Sequence, residues 1–122
     1  LDFSGSGDSV KEKADVDVVV RPGMIEAMGA PYLNGVPANH PSVSPLLGDL
    51  SGFPPLLVHV GSYEMILDDS LRLVRKVAVA DTPVELKVWP KMPHVFQLFA
   101  GELEEGRQSL REAGAFLRAH LG

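Results

Sequence analysis

The sequence predicts an α/β fold with parallel strands, and one that is incomplete on its own. Three observations carry this. The second half of the 122 residues reads strand, helix, strand, helix, an order that implies parallel pairing through a right-handed crossover. The run LLVHVG, Leu56 to Gly61, is continuously aliphatic apart from one histidine and is closed by glycine, the pattern of a strand covered on both faces. Finally, only two strands can be read. A strand so apolar needs neighbours on both edges, so the expectation is the C-terminal part of a larger α/β domain, or a chain completed by another.

Taken in order, residues 1 to 20 are Gly/Ser-rich, then charged, and end in DVDVVV, which reads as a loop leading into a short ordered element. From Pro22 the pattern turns helical. Proline suits a first helical position, and Met24, Ile25, Met28 and Leu33 recur at helical spacing until Asn34-Gly35 stops them. The helix is predicted over roughly 22 to 33, with Pro31 weakening its last turn. Residues 1–35 thus form a loop and helical segment, and 36–122 the remainder. The stretch 35 to 55 holds five prolines and three glycines and reads as a long ordered loop. After the Leu56 strand, Leu67, Leu71, Val74 and Val77 or Ala78 follow helical spacing, with Asp68 and Asp69 at the positive end of the helix dipole. Asp81-Thr82-Pro83 breaks that helix. VELKVW, Val84 to Trp89, alternates apolar and polar residues as a strand less fully covered than the first. A last helix, about 102 to 120, carries an apolar stripe of Leu103, Leu110, Ala113, Phe116, Leu117 and Leu121.

Composition narrows the function. With 45% hydrophobic and 22% charged residues the chain is globular, and its net charge of −5 with scattered Lys and Arg excludes a nucleic-acid or anionic-membrane surface. No apolar run is long enough to span a bilayer. The absence of cysteine excludes thiolate chemistry and Cys-bearing metal sites and fits a reducing, cytoplasmic setting. No secretory leader is visible. Because the first residue is Leu rather than Met, the true N-terminus is expected further upstream.

Ligands of open α/β sheets bind at the carboxyl ends of the strands. Two ionisable residues fall there: Glu64, three residues past Gly61, and His94, four past Pro90. A carboxylate and an imidazole on neighbouring loops can form the orienting pair of Ser-His-acid catalysis, the carboxylate fixing the tautomer and stabilising the imidazolium. Each also has a plainer reading, Glu64 as a helix N-terminal carboxylate and His94 as a solvated strand-end residue. His59 alternates into the buried strand as a core histidine, and His40 and His120 read as exposed. No pair of histidines has metal-ligand spacing, and no phosphate-binding glycine loop occurs.

The nucleophile is missing. No window matches the G-x-S-x-G elbow of a serine hydrolase. In GSGDSVKE, Gly5 to Glu12, a Gly-Asp-Ser is present, but Lys11 stands where the second glycine is needed and no strand precedes it. Ser9 is therefore a loop or N-cap residue.

LDFSGSGDS, HPSVSPLLGDLSGFPPLLVHVGSYEMILDDS and VELKVWPKMPHVFQLF together resemble the C-terminal part of the hormone-sensitive-lipase-like α/β-hydrolases, the bacterial carboxylesterases with a Gly-Asp-Ser-Ala-Gly elbow. The resemblance runs through nearly the whole chain. It implies that Glu64 is the triad acid and His94 the triad histidine. It further implies that residues of about 10 to 35 belong to the cap over the acyl pocket, with Met24, Ile25, Met28 and Tyr32 as candidates to line it and Val95 and Phe96 beside the histidine as further substrate contacts. The family's serine and oxyanion-hole glycines would lie in an upstream half, on the same or a separate chain. The leading expectation is a carboxylic ester hydrolase acting on small acyl esters, with no cofactor or metal, whose 122-residue segment is inactive alone. The alternative is a non-catalytic α/β fragment that pairs with a partner chain or self-associates through its open sheet edge.

Overall fold

The computed structural model describes residues 1–121. Four helices and two strands are formed: α1 (Ser9–Glu12), α2 (Met24–Leu33), β1 (Leu56–Gly61), α3 (Leu67–Val79), β2 (Val84–Trp89) and α4 (Glu104–Leu121), with short 3₁₀ turns at Pro45–Leu47 and Phe96–Phe99. The strands pair in parallel, with Leu56 opposite Val84 and Gly61 opposite Trp89. The strand, helix, strand, helix order is as the periodicity predicts, and α3 is the crossover.

β1 is less covered than its composition predicts. Only Val60 and Gly61 are buried, whereas residues 56 to 59 are half-buried, because the described sheet has two strands and both outer edges stand open. The core extends along the sheet, with Phe96, Val60 and Met65 towards its carboxyl end and Val77 towards its amino end, where the Val77 carbonyl accepts the Thr82 N–H at 3.0 Å. Phe96 and Val77 are wholly inaccessible, Val60 and Met65 nearly so, and the Phe96 ring packs 5.4 Å from that of Trp89. Within the two strands themselves, only the last residues, Val60, Gly61 and Trp89, are buried, directly beneath the loops that leave the sheet.

Four elements depart from expectation. α2 starts at Met24 rather than Pro22, because Gly23 takes a left-handed φ of 81° and serves as its N-cap. Pro31 sits within it without ending it, and the stop is Asn34, itself left-handed. Residues 16 to 20 build no regular element, only bends and turns. Ser9 opens the short α1. The apolar stripe of α4 also divides: Leu103, Ala113 and Phe116 are half-buried, but Leu110, Leu117 and Leu121 are exposed. The small residues Gly106 and Ser109 lie deepest instead. A Cβ on Gly106 would stand 3.1 Å from the Ala100 backbone, so the helix lies close against the preceding turn and presents only one flank of its stripe to a sheet two strands wide.

The N-terminal segment is fastened to the start of α3. The backbone N–H of Asp2 donates to Asp69 at 2.7 Å and that of Ser9 to Asp68 at 2.9 Å. In return the Ser9 hydroxyl accepts from the Asp68 N–H at 3.0 Å and donates to the Met65 carbonyl at 2.8 Å. Helix α3 has no side-chain cap of its own. A serine 59 residues upstream therefore satisfies one of its orphan donors.

Candidate active site

Two loops leave the carboxyl edge of the sheet, and the backbone stitches them together. Ser62 N–H donates to the Trp89 carbonyl at 2.9 Å and Tyr63 N–H to that of Met92 at 3.1 Å, while Lys91 N–H donates to the Ser62 hydroxyl at 2.8 Å. The approach is close enough to require glycine at the end of β1. A Cβ on Gly61 would overlap the Met92 carbonyl. Glu64 is thereby buried beneath the His94 loop, at 5% exposure.

Glu64 divides its carboxylate between two donors. Oε1 accepts the Gly61 N–H at 2.6 Å, and Oε2 lies 2.8 Å from His94 Nδ1. A carboxylate has no hydrogen to give, so Nδ1 carries the proton and Nε2 is left as the acceptor. The hydrogen bond to Glu64 favours the imidazolium and raises the His94 pKa above its ordinary value, against the opposing pull of burial. Glu64 is not the helix-terminal carboxylate of the plainer reading, since it sits in the turn before α3 and its oxygens are committed to Gly61 and His94.

Immediately after His94 the chain turns sharply. Val95 adopts φ 50°, ψ 37°, a left-handed conformation that costs a β-branched residue about 1–2 kcal/mol. The turn sends Phe96 down into the core while the imidazole stays at the surface, its side chain 31% exposed.

His94 lines a cavity of about 450 Å³ whose walls include Met24, Ile25, Met28 and Tyr32. The four α2 residues proposed from the sequence thus come together on one concave, apolar surface with the histidine. Val95 and Phe96 do not belong to it. Val95 points outward, and Phe96, at 0% exposure, is spent on packing against Trp89. Their neighbourhood to His94 in sequence misled because the left-handed turn reverses the chain. Phe3, Val19, Val20 and Ile66 also line the cavity, none of them foreseen. Val19 and Val20 belong to DVDVVV, whose apolar run was the available signal.

The other histidines keep apart. His59 holds Ser109 Oγ at 2.7 Å through Nδ1, but its buried Nε2 has no hydrogen-bond partner and lies 3.7 Å from Glu112, so it is a half-satisfied core histidine. His40 and His120 are exposed. Ser9, 1% exposed and bonded to Met65 and Asp68, is in no position to attack anything. Among the described residues no group of three His, Asp or Glu could hold a metal, and no helix is long and apolar enough to cross a membrane.

Comparison with known proteins agrees with this architecture. A family model of the alpha/beta hydrolase fold matches residues 2–98. An acetyl-hydrolase of Streptomyces hygroscopicus is 38% identical over 121 residues, covering 99% of this chain and 40% of that protein. An esterase of Acinetobacter venetianus is 35% identical over 117 residues, covering 95% and 39%. The crystal structure of an esterase from the bacterial hormone-sensitive lipase family superposes with a TM-score of 0.95 at 40% identity, over 99% of this chain and 41% of that one. The chain therefore spans about 40% of the length of the relatives it matches.

Proposed function

Because this chain belongs to the α/β-hydrolase fold family, we propose that the protein carrying it is a serine carboxylesterase of the hormone-sensitive-lipase kind, with Glu64 and His94 as the acid and histidine of its triad. The observation that carries this is the 2.8 Å contact between Glu64 and His94 Nδ1 beside an apolar cavity that the same histidine lines.

In this reading a serine outside these 122 residues attacks the ester carbonyl. His94 Nε2 takes its proton, and the imidazolium so formed is stabilised by Glu64. The same proton then passes to the departing alkoxide as the tetrahedral intermediate collapses to an acyl-enzyme. Water repeats the cycle, giving up its proton to His94 and releasing the carboxylic acid. Glu64 is held on its far oxygen by the Gly61 N–H, so the imidazole is aligned before substrate arrives.

Residues 1–35 serve as part of the cap and 36–122 as part of the catalytic core. The cavity, lined by Met24, Met28 and Tyr32, holds the acyl chain; its apolar walls suit short or medium acyl esters. The similar proteins named an acetyl-hydrolase and an esterase support the same substrate class.

The test is hydrolysis of p-nitrophenyl butyrate by the full-length protein. His94→Ala should abolish turnover, and Glu64→Ala should lower kcat by about 10²–10⁴-fold. Full activity in His94→Ala removes the assignment.

A further inference from the structure

We infer that Asp17 is a positioning residue for the Glu64–His94 pair: its buried carboxylate pins the turn that carries Glu64 to the wall of the acyl cavity. This rests on the reading of Glu64 and His94 as acid and base.

Asp17 is 3% exposed and lies in a segment without regular secondary structure. Burying a carboxylate is costly unless its oxygens are met, and here three backbone donors meet them. Oδ1 accepts the N–H groups of Val19 at 2.9 Å and Val20 at 3.0 Å. Oδ2 accepts the Met65 N–H at 2.8 Å, across 48 residues of sequence. The first two donors belong to residues that line the cavity, and the third to the residue that follows Glu64. A single side chain thus couples the cavity wall to the backbone that aims the acid.

The charge matters as well as the bonds. The charged groups bearing on His94 are Glu64 and Asp17, and both act to favour the imidazolium. Catalysis forms that imidazolium as the serine proton is taken up, so what favours the imidazolium in the free protein also favours the charge where it develops. Asp17 has no contact with the reacting atoms; it acts through His94 and Glu64.

Asp17→Asn separates this role from simple packing. The amide preserves volume and one acceptor but removes the charge, and its NH₂ must face a backbone N–H on one side or the other. In the full-length protein, kcat on p-nitrophenyl butyrate should fall by about ten- to a hundredfold, and the acid limb of the kcat/KM profile should move to lower pH by about half a unit. Asp17→Ser should move that limb in the same direction. An acid limb unchanged in both variants, with His94→Ala inactive, overturns the role of Asp17 and leaves the triad standing. Activity retained in His94→Ala removes the triad reading itself. Loss of cooperative folding in both Asp17 variants overturns the inference too, since the carboxylate then belongs to the scaffold rather than to the chemistry.

Discussion

At the residue level the proposed chemistry rests on one hydrogen bond, between Glu64 and His94. Glu64 holds the His94 pKa above its ordinary value, so the kcat/KM of the complete enzyme should rise with pH through an acid limb above about 6.5. Glu64→Gln should move this limb to lower pH while cutting kcat, as a pH–rate profile of the two proteins would reveal. The sign for stability is opposite to that for activity. A histidine whose folded-state pKa is raised contributes stability that is fully present below the unfolded pKa and is lost as pH rises through the folded one. The urea midpoint of the wild type should therefore decline over that window more than that of Glu64→Gln. Glu64 and His94 could be found from the sequence because each follows a readable strand by a few residues. Asp17 could not, because its partners are backbone N–H groups on residues 19, 20 and 65, and backbone donors leave no mark in residue types.

At the level of elements, the site depends on how two loops are joined and how one helix begins. Gly61 is required by the Met92 carbonyl that lies over it. Gly61→Ala should lower stability by about 1–3 kcal/mol through overpacking and reduce kcat as well, because the displaced backbone carries both Glu64 and His94; thermal melts and steady-state rates on the same samples would register both. Ser9 bonds the first turn of α3 and the Met65 carbonyl. Ser9→Ala should cost about 1–2 kcal/mol, a lost cap together with a buried carbonyl left unpaired, measurable as a lower urea midpoint at unchanged slope. The spacing of apolar residues identified α2, α3, α4 and both strands to within two or so residues of their ends. It missed α1, a single turn of helix whose serine is held by residues 56 and 59 positions away.

At the level of the whole molecule, a two-stranded sheet leaves much of the apolar surface uncovered. Leu98 and Leu121 are nearly four-fifths exposed, and Leu110 and Leu117 about half. This exposure stands beside a chain that spans only 40% of the length of a relative it matches. The 122-residue segment expressed alone should bind a hydrophobic dye such as ANS, self-associate on size-exclusion chromatography through its open strand edges, and show no butyrate esterase activity. A monodisperse, active segment would contradict that expectation.

The amino-acid pattern by itself determined the parallel strand, helix, strand order, the incompleteness of the sheet, and the carboxylate and imidazole at its carboxyl edge. These are properties of local periodicity and composition, and each is encoded within a window of a dozen or so residues. Only the tertiary structure decided that Glu64 and His94 touch, that Phe96 is core while His94 lines the cavity, and that Asp17 reaches across 48 residues to bond the backbone just after Glu64. The reason is common to all three. Which side chain faces which depends on loop paths, on a glycine that admits a carbonyl and on one left-handed valine, and such long-range contacts have no period in the chain.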